Sequence, residues 1–329
     1  MGELGDRGVA FLDANPTKHG TEIAGREVLP VEELGAVEFD LLLVAVLSDS
    51  EGIRDRLRAA GLEEGRDFAL PFPSGKRLQV LDSLPRTLSF LERFDLTGRE
   101  AVEVGFGGQL FLALTLLHRG VSRVVVTDVE AQLGALERRE GEWRSFLADL
   151  ARAAPGRARD EEPGRILERI EIHSTPTRAE DLPFDDASFD LVANTGVMEH
   201  VDDPGGAIDA FARVLRPGGL ALCLAVGIHD HRANDPAAPF TPWSFLVSTE
   251  DEWRELGRSA YHQNRWRAVD FERAFEERGF DLLARDCIVD PRLGPAEARR
   301  FAEPFRSGYS LTQLAELDLD LGARLRSGG

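Results

Sequence analysis

Over most of its length the chain alternates between continuous apolar segments, each as long as a β-strand, and amphipathic segments, each as long as a helix. Strands that are apolar on both faces are typical of parallel sheets covered by helices on both sides. A series of such units predicts an α/β protein with a doubly wound sheet. The predicted strands after residue 80 are EAVEVGF (100–106), SRVVVTDV (122–129), RIEIHS (169–174), FDLVANT (189–195), LALCLAV (220–226) and FDLLARDCIV (280–289). The predicted helices are LPRTLSFLERF (84–94), GQLFLALTLLHRG (108–120), the region 131–153, PGGAIDAFARVL (204–215) and AVDFERAFEERG (268–279), with a turn at RPGG (216–219).

A smaller α/β unit precedes this series. Its predicted elements are the strands VAFLDANP (9–16) and FDLLLVAVLSD (39–49), the short helical segment PVEEL (30–34) and the helix SEGIRDRLRAAG (50–61), which Gly61 ends. The loop-like stretch PFPSGKR (71–77) follows. The sequence therefore predicts two domains, residues 1–75 and 76–329, with a C-terminal substrate or lid segment from about residue 228.

Composition excludes several classes of protein. The formal net charge is −19, and such an acidic surface repels the phosphates of nucleic acids. The two cysteines, Cys223 and Cys287, lie in apolar segments, which is typical of the reducing cytoplasm rather than of a disulfide framework. The sequence has neither a secretory leader pattern nor an apolar stretch of 18 residues, so we expect a cytoplasmic protein that does not enter a membrane.

Glycines follow the strand EAVEVGF and precede a helix, as EVGFGG (103–108). Glycines let the main chain approach a ligand there, and the helix N-terminus offers free N–H groups. Leu110 stands where the dinucleotide fingerprint requires its third glycine. Asp128 ends the next strand, where a carboxylate can accept both ribose hydroxyls of a nucleoside. The turn alone fits a nicotinamide cofactor, a methionine-derived cofactor or a purely structural role.

The stretch from 103 to 108 resembles motif I of class I S-adenosylmethionine-dependent methyltransferases. AEDLPFDDASFDLVANTGVMEHV (179–201) and ARVLRPGGLALCLAV (212–226) are similar to the later segments of that family, in the same order. The resemblance implies a Rossmann-like methyltransferase sheet and S-adenosyl-L-methionine as cofactor, with S-adenosyl-L-homocysteine as product. The cofactor-binding residues that it implies are Glu103, Gly105, Gly107, Asp128, Asp181 near the adenine, and Asn194 near the methionine part.

The C-terminal third resembles a bacterial methyltransferase subgroup associated with polysaccharide and specialised-metabolite pathways. The resemblance rests on HDH (229–231), WSFL (243–246), YHQNRWR (261–267) and ERGF (277–280). Asn264, Arg265 and Arg267 match its Asn-Arg-x-Arg element. The two guanidinium groups are suited to clamping an anionic substrate, and the alternative is an ion pair that ties this segment to the core.

Two histidines are candidates for the base that removes a proton from a hydroxyl or amine acceptor. His200 follows the fourth strand, at the sheet edge where ligands bind, and its alternative role is to brace the loop. His231 is the second candidate, with a lid-holding role as its alternative. His229, Asp230 and His231 lack the spaced further ligands of a stable metal site, so we predict no metal.

These features predict a methyltransferase acting on an O- or N-nucleophile of a small molecule or saccharide. The alternatives are a non-catalytic partner subunit and an NAD-dependent oxidoreductase. Residues 8–70 resemble the latter part of a nucleotide-binding Rossmann domain of sugar-modifying proteins, without the first strand and glycine loop. We therefore expect a truncated unit that makes an interdomain or homodimer contact rather than a second cofactor site.

Overall fold

The structure of the chain is a computed structural model. It describes residues 11–13, 20–23, 26–30, 33, 42–43, 57–63, 67–69, 75–129, 140–153, 163–234, 239–257 and 263–327. The chain divides into two units, residues 1–82 and 83–329.

The first unit contains two small sheets. In one, strand Phe11–Asp13 runs parallel to Arg26–Pro30, which also pairs antiparallel with Glu22–Ile23. In the other, Leu42–Leu43 and Phe68–Ala69 pair in parallel. The predicted strands at 9–16 and 39–49 are thus observed in part, and the hairpin of 22–30 was not predicted. The helical segment predicted at 30–34 lies mainly outside the described residues.

The second unit is built on a seven-stranded sheet. Its strands are β1 Glu100–Val104, β2 Arg123–Thr127, β3 Ile170–Ile172, β4 Phe189–Thr195, β5 Leu215–Gly227, β6 Phe280–Val289 and β7 Glu316–Leu325. The strand order is β3-β2-β1-β4-β5-β7-β6, and β7 is antiparallel to both of its neighbours while the other pairs are parallel. The order reverses between β1 and β4, and open α/β sheets bind ligands beside such a point.

One helix precedes these strands, and the others lie between and after them. They are α1 Gly75–Leu91, α2 Phe111–His118, α3 Glu140–Ala153, α4 Pro163–Leu167, α5 Pro204–Val214, α6 Glu250–Gly257, α7 Ala268–Glu277, α8 Pro295–Ala298, α9 Phe305–Gly308 and α10 Leu311–Ala315. None of the helices in the described ranges is long and apolar enough to cross a membrane.

The helices cover both faces of the large sheet, as predicted. Successive side chains of a strand point to opposite faces. Val102 of β1 and Val192 of β4 share a core with Phe211 of α5 and Phe271 of α7. Glu103 points to the other face, where it is hydrogen-bonded to the main chain of α2. Because the strands are buried on both sides, their sequences are continuously apolar.

Two features of the sheet differ from the sequence prediction. RPGG is an interruption within β5 rather than a turn between two elements, because pairing with β4 is made at Leu215 and resumes at Leu220. Gly218 has a φ of +81° in this interruption.

Strand β7 was not predicted, since its acidic residues break the apolar pattern. The helix predicted over 131–153 is observed at 140–153, and residues 130–139 lie outside the described ranges.

Candidate active site

The glycine turn follows β1 directly and is joined to the end of β2. The N–H groups of Gly105 and Phe106 both donate to the Thr127 carbonyl, at 2.8 and 3.2 Å. The Gly107 N–H donates to Asp128 Oδ2 at 2.6 Å. This places the glycine turn and the predicted ribose-binding carboxylate side by side at the carboxyl edge of the sheet.

The glycines of this turn serve two different purposes. Gly105 has a φ of +76°, and a Cβ there would lie 2.5 Å from Val197 Cγ2, so close packing excludes a side chain. Gly107 has a φ of +59°, and among the described residues no heavy atom lies within 4 Å of an added Cβ. The turn is therefore packed against the β4 side and open at Gly107, where a ligand can approach the main chain.

Glu103 and Asn194 are buried polar residues near the carboxyl ends of β1 and β4. The register pairs Glu103 with Ala193, so the two residues lie on neighbouring strands. Glu103 Oε2 and Asn194 Oδ1 have no hydrogen-bond partner within the described part of the chain. Buried polar atoms are normally paired, so each of these oxygens is suited to a hydrogen-bond donor of a ligand, although Asn194 follows Ala193 and therefore points to the face of the sheet opposite to that of Glu103. Burial raises the pKa of Glu103 to about 8, and the charge of Asp128 adds to this effect while a hydrogen bond from the Ala113 main chain opposes it.

Asp181, the predicted adenine-side residue, is exposed in the loop after β3. Its buried neighbours Ala179 and Leu182 pack in the core below the sheet face. The Thr177 N–H donates to the Asp128 carbonyl at 2.7 Å, which ties the start of this loop to the end of β2. The loop that carries Asp181 therefore begins at the same edge as the glycine turn.

The structure brings the two predicted catalytic histidines together. His200 ends the short 3-10 helix Met198–His200 after β4, and His231 begins another, His231–Asn234, after β5. Their ring centroids lie 5.2 Å apart, and the ring of His229 lies 4.9 Å from that of His231. The site thus holds three imidazoles, one of which sequence reasoning did not assign to catalysis.

The imidazoles differ in their tendency to bind a proton. Burial is the main cause that lowers the pKa of His231 to about 4, and the neighbouring His229 and His200 contribute to this shift. Burial also opposes protonation of His229, but the nearby Asp318 outweighs this and raises the pKa of His229. His231 is therefore neutral at neutral pH and a weaker base than a free histidine, whereas Asp318 favours the charged form of His229.

Glu199 connects the ends of β4 and β5. Its Oε1 accepts a hydrogen bond from the Gly227 N–H at 3.0 Å and lies 3.9 Å from His200 Nε2. Its Oε2 has no partner in the described part of the chain, and burial raises the pKa of the carboxyl to about 7. Near neutral pH this carboxyl is thus poised between its two protonation states.

Of the predicted substrate-binding residues, Asn264 and Arg267 contact the main chain. Asn264 Nδ2 donates to the carbonyls of Met198 at 2.7 Å and Val201 at 3.0 Å. The Arg267 guanidinium is fully buried and donates to the carbonyls of Ile228, Leu314 and Glu316. Burial lowers the pKa of Arg267 to about 10, so it remains charged at neutral pH.

Arg265 lies in a second apolar cluster formed by residues after β5. Its guanidinium donates to the Phe245 carbonyl at 3.1 Å, pairs with Glu250 and lies 4.8 Å from the ring centre of Phe305. The residue is 6% exposed. Arg265 thus makes an ion pair with Glu250, whereas Arg267 donates to main-chain carbonyls, and a role of either residue in substrate binding stays a prediction.

The acidic residue of the HDH segment, Asp230, is buried in an ion pair. Asp230 is fully buried, and both of its oxygens pair with the guanidinium of Arg232. Among the described residues no group of three or more His, Cys, Asp and Glu side chains could hold a metal ion.

Sequence reasoning missed Glu199, His229, Gln263 and Asp318 as residues of this site. His229 had a signal, because it belongs to the HDH segment. Asp318 lies on the unpredicted strand β7, 3.6 Å from His229 Nδ1. Gln263 is a single amide in a polar stretch, and nothing in its spacing indicates the contacts that it makes.

The sheet order, the glycine turn and the acidic residue at the end of β2 define a Rossmann-like class I methyltransferase fold. Residues 102–223 match the family model Methyltransf_11, described as a methyltransferase domain. This segment is therefore similar to methyltransferase domains, which agrees with the predicted class of enzyme and its cofactor.

Two curated relatives and a solved structure are similar to the chain. A Mycolicibacterium smegmatis protein named "Probable S-adenosylmethionine-dependent methyltransferase" is 35% identical over 176 residues, which cover 51% of this chain and 55% of that protein. An "Uncharacterized methyltransferase" of Mycobacterium sp. is 32% identical over 125 residues, 38% of each chain. The chain thus spans about half or less of the length of these relatives. The crystal structure of an S-adenosylmethionine-dependent methyltransferase from Mesorhizobium loti is 17% identical, with a TM-score of 0.43 over 74% of this chain and 99% of that one.

Proposed function

We propose that the protein transfers a methyl group from S-adenosyl-L-methionine to a hydroxyl or amine of a small molecule or saccharide. The observation that carries the proposal is the hydrogen bond from Gly107 to Asp128 at the same sheet edge as the histidines that follow β4 and β5. A nucleoside-binding corner and a group that can accept a proton therefore lie along one edge, on both sides of the point where the strand order reverses.

The cofactor-binding residues proposed are Glu103, Gly105, Gly107, Asp128, Asp181 and Asn194. When bound, S-adenosylmethionine supplies a methyl group activated by its sulfonium. Asp128 is suited to accept hydrogen bonds from ribose hydroxyls, and its bond to Gly107 holds the carboxylate in place. The unpartnered oxygens of Glu103 and Asn194 are suited to donors of the amino-acid part.

His200 is proposed to take the proton of the acceptor group. Its side chain is 23% exposed, so an acceptor can reach it, and Glu199 Oε1 lies 3.9 Å from its Nε2. The ionised form of Glu199 stabilises the imidazolium that forms. His231, which is neutral at neutral pH, is the second proton acceptor proposed. General bases of this kind contribute roughly 10²- to 10⁴-fold to a rate.

The acceptor is proposed to be a small molecule or saccharide rather than a nucleic acid, because the net charge of −19 repels phosphate backbones. The two free cysteines, Cys223 and Cys287, are consistent with the cytoplasmic location proposed. A homodimer contact stays a prediction, which light scattering of the full chain tests.

Calorimetric titration with S-adenosyl-L-homocysteine and, separately, with NADH tests the proposal. We expect micromolar binding of the former alone and its loss in Asp128→Ala. Binding of NADH alone would identify an oxidoreductase, and binding of neither would overturn the proposal. Cofactor binding without turnover in a screen of saccharide and metabolite acceptors would favour the non-catalytic partner subunit.

A further inference from the structure

The side chain of Gln263 closes the turn that carries His229 and His231. Gln263 is 3% exposed. Its Nε2 donates to the carbonyls of Gly227 at 3.0 Å and His229 at 2.6 Å, and its Oε1 accepts from the His231 N–H at 3.3 Å. One carboxamide therefore uses both donors and an acceptor on three main-chain groups within five residues.

The next residue holds the opposite side of the site. The Asn264 N–H donates to the Glu199 carbonyl at 2.7 Å, and its side chain donates to the carbonyls of Met198 and Val201, which flank His200. Two adjacent residues thus hold the two segments that present the histidines. The rings of His200 and His231, one on each segment, lie 5.2 Å apart.

We propose that Gln263 is a positioning residue that holds the His229–His231 turn against His200. The inference rests on the proposed function, because it concerns the groups that would accept the proton of the methyl acceptor. Gln263 acts through the main chain of the histidines and need not touch the substrate.

A carboxamide side chain suits position 263, whereas the side chains closest to it in size, those of glutamate and leucine, do not. A glutamate would set an oxygen against the carbonyls of Gly227 and His229, and both are acceptors. A leucine would leave these buried carbonyls and the His231 N–H without their partner. The indole N–H of Trp253 donates to the Gln263 carbonyl at 2.7 Å, which holds the main chain from which the carboxamide extends.

The pKa values of His229 and His231 can show whether Gln263 holds the turn, because they depend on burial and on the neighbouring charges. The titratable groups that face His231 are His200, His229 and Asp318, with Glu199 on the other side of Gly227. Burial and the two imidazoles lower the pKa of His231, whereas Asp318 raises the pKa of His229 against the effect of burial. A turn that is no longer held admits water and lengthens these distances, so both pKa values move toward that of a free histidine.

The test is a histidine titration by two-dimensional NMR on ¹⁵N-histidine-labelled full chain, for wild type, Gln263→Leu and Gln263→Glu. Single His→Asn variants assign the signals. In both Gln263 variants we expect the pKa of His231 to rise by about one pH unit or more, because the turn loses hydrogen bonds to the side chain of residue 263 and admits water. The affinity for S-adenosyl-L-homocysteine should stay within about threefold. Gln263→Glu keeps the size of the side chain and preserves the test where Gln263→Leu does not fold.

Thr115→Val is the matched control. It removes another buried hydrogen bond to the main chain, from Thr115 Oγ1 to the Phe111 carbonyl inside α2, and should leave the histidine titrations unchanged. Unchanged titrations in a folded Gln263 variant that binds S-adenosyl-L-homocysteine would overturn the positioning role alone. Failure of the wild type to bind S-adenosyl-L-homocysteine would instead overturn the proposed function, and the two failures are thus distinguishable.

Discussion

The main-chain nitrogen of Gly107 lies 2.6 Å from Asp128 Oδ2 and donates a hydrogen bond to it. This bond joins the turn after β1 to the end of the neighbouring β2, so that the main chain of the turn and an acidic side chain form one corner. Asp128 is only 8% exposed, and a buried carboxylate is stabilised by such a donor. The corner is therefore formed before any ligand is present, which reduces the ordering cost of binding.

Replacing Asp128 should weaken cofactor binding more than it weakens the fold. Asp128→Ala removes both carboxylate oxygens, and hydrogen bonds to charged groups contribute about 1.5–3 kcal/mol each, so we expect about a 100-fold loss of affinity for S-adenosyl-L-homocysteine. Asp128→Asn, which can still accept from Gly107, should lose about tenfold. Calorimetry measures both, with Asp251→Ala on the exposed surface of α6 as control. Equal affinities for wild type and Asp128→Ala would place the ribose elsewhere.

The two glycines of the turn should respond differently to alanine. Gly105→Ala combines a φ of +76° with a Cβ 2.5 Å from Val197 Cγ2, whereas Gly107→Ala meets only the positive φ. We expect the free energy of unfolding to fall by about 2–4 kcal/mol in the first and about 1 kcal/mol in the second. Urea denaturation measures both changes.

Val197→Ala tests the cause of this difference. Removing the two γ-methyl groups makes room for the Cβ at residue 105, so the double variant should recover part of the stability lost by Gly105→Ala. Gly98→Ala, also with a positive φ but with no described atom within 4 Å of its Cβ, is the control for backbone strain alone. Additive effects of the two changes would show that the contact with Val197 is not the cause.

Glu103 should make the ligand-free protein less stable as the pH rises. Its pKa in the folded chain is about 8, above the value of 4.5 expected when the chain is unfolded, so the folded state binds more protons between these limits. The contribution is fully present below pH 4.5 and is lost as the pH rises through 8, on the order of a few kcal/mol. Glu199, with a pKa of about 7, adds an effect of the same sign. Urea unfolding at pH 5.5, 7 and 8.5 should show this decline, and Glu103→Gln should reduce it.

The same carboxyl should release a proton when the cofactor binds. A cationic amino group beside Glu103 lowers its pKa, so a group that is mostly protonated at pH 7 becomes ionised. Calorimetry of S-adenosyl-L-homocysteine binding in buffers of different ionisation enthalpy should detect the release of up to about one proton. Glu103→Gln should abolish this release, and a release that persists in the variant would assign it to another group.

The fold was predictable because its strands carry a strong local signal. Each of the six strands predicted after residue 80 is observed, and FDLVANT corresponds to β4 in full. Strand β7 was missed because Asp318 and Asp320 interrupt its apolar residues. Both are explained by tertiary contacts: Asp318 faces His229, and Asp320 accepts from the Ala225 N–H and pairs with Arg86.

The site was predictable only where residues lie in a recognisable segment. The glycine turn and Asp128 follow directly from the ends of two strands. Glu199 and Gln263 act through contacts with the main chain of residues 28 and 36 positions away, and no local pattern records such contacts. The burial of Arg267 is equally invisible in the sequence, because a guanidinium in a polar stretch is normally exposed.

His200 should affect turnover without affecting cofactor affinity. With an acceptor found by screening, His200→Ala and His200→Asn should lower kcat by roughly 10²- to 10⁴-fold, since the acceptor proton loses its base. The affinity for S-adenosyl-L-homocysteine should remain within about threefold. His118→Gln is the control, because α2 starts at the glycine turn and His118 lies at its far end. Turnover that is unchanged in both His200 variants would remove this histidine as the base and leave it as a brace.

Arg267 distinguishes the substrate clamp from the structural alternative. Arg267→Met would leave the buried carbonyls of Ile228 and Glu316 without their charged donor, so we expect the free energy of unfolding to fall by about 3–5 kcal/mol. Arg267→Lys should be intermediate, because one ammonium cannot match the fork of a guanidinium. Arg299→Met, at an exposed position directly after α8, should change stability by less than about 0.5 kcal/mol. A substrate clamp makes the opposite prediction, an increased KM with unchanged unfolding, because its partner would be the ligand rather than the main chain.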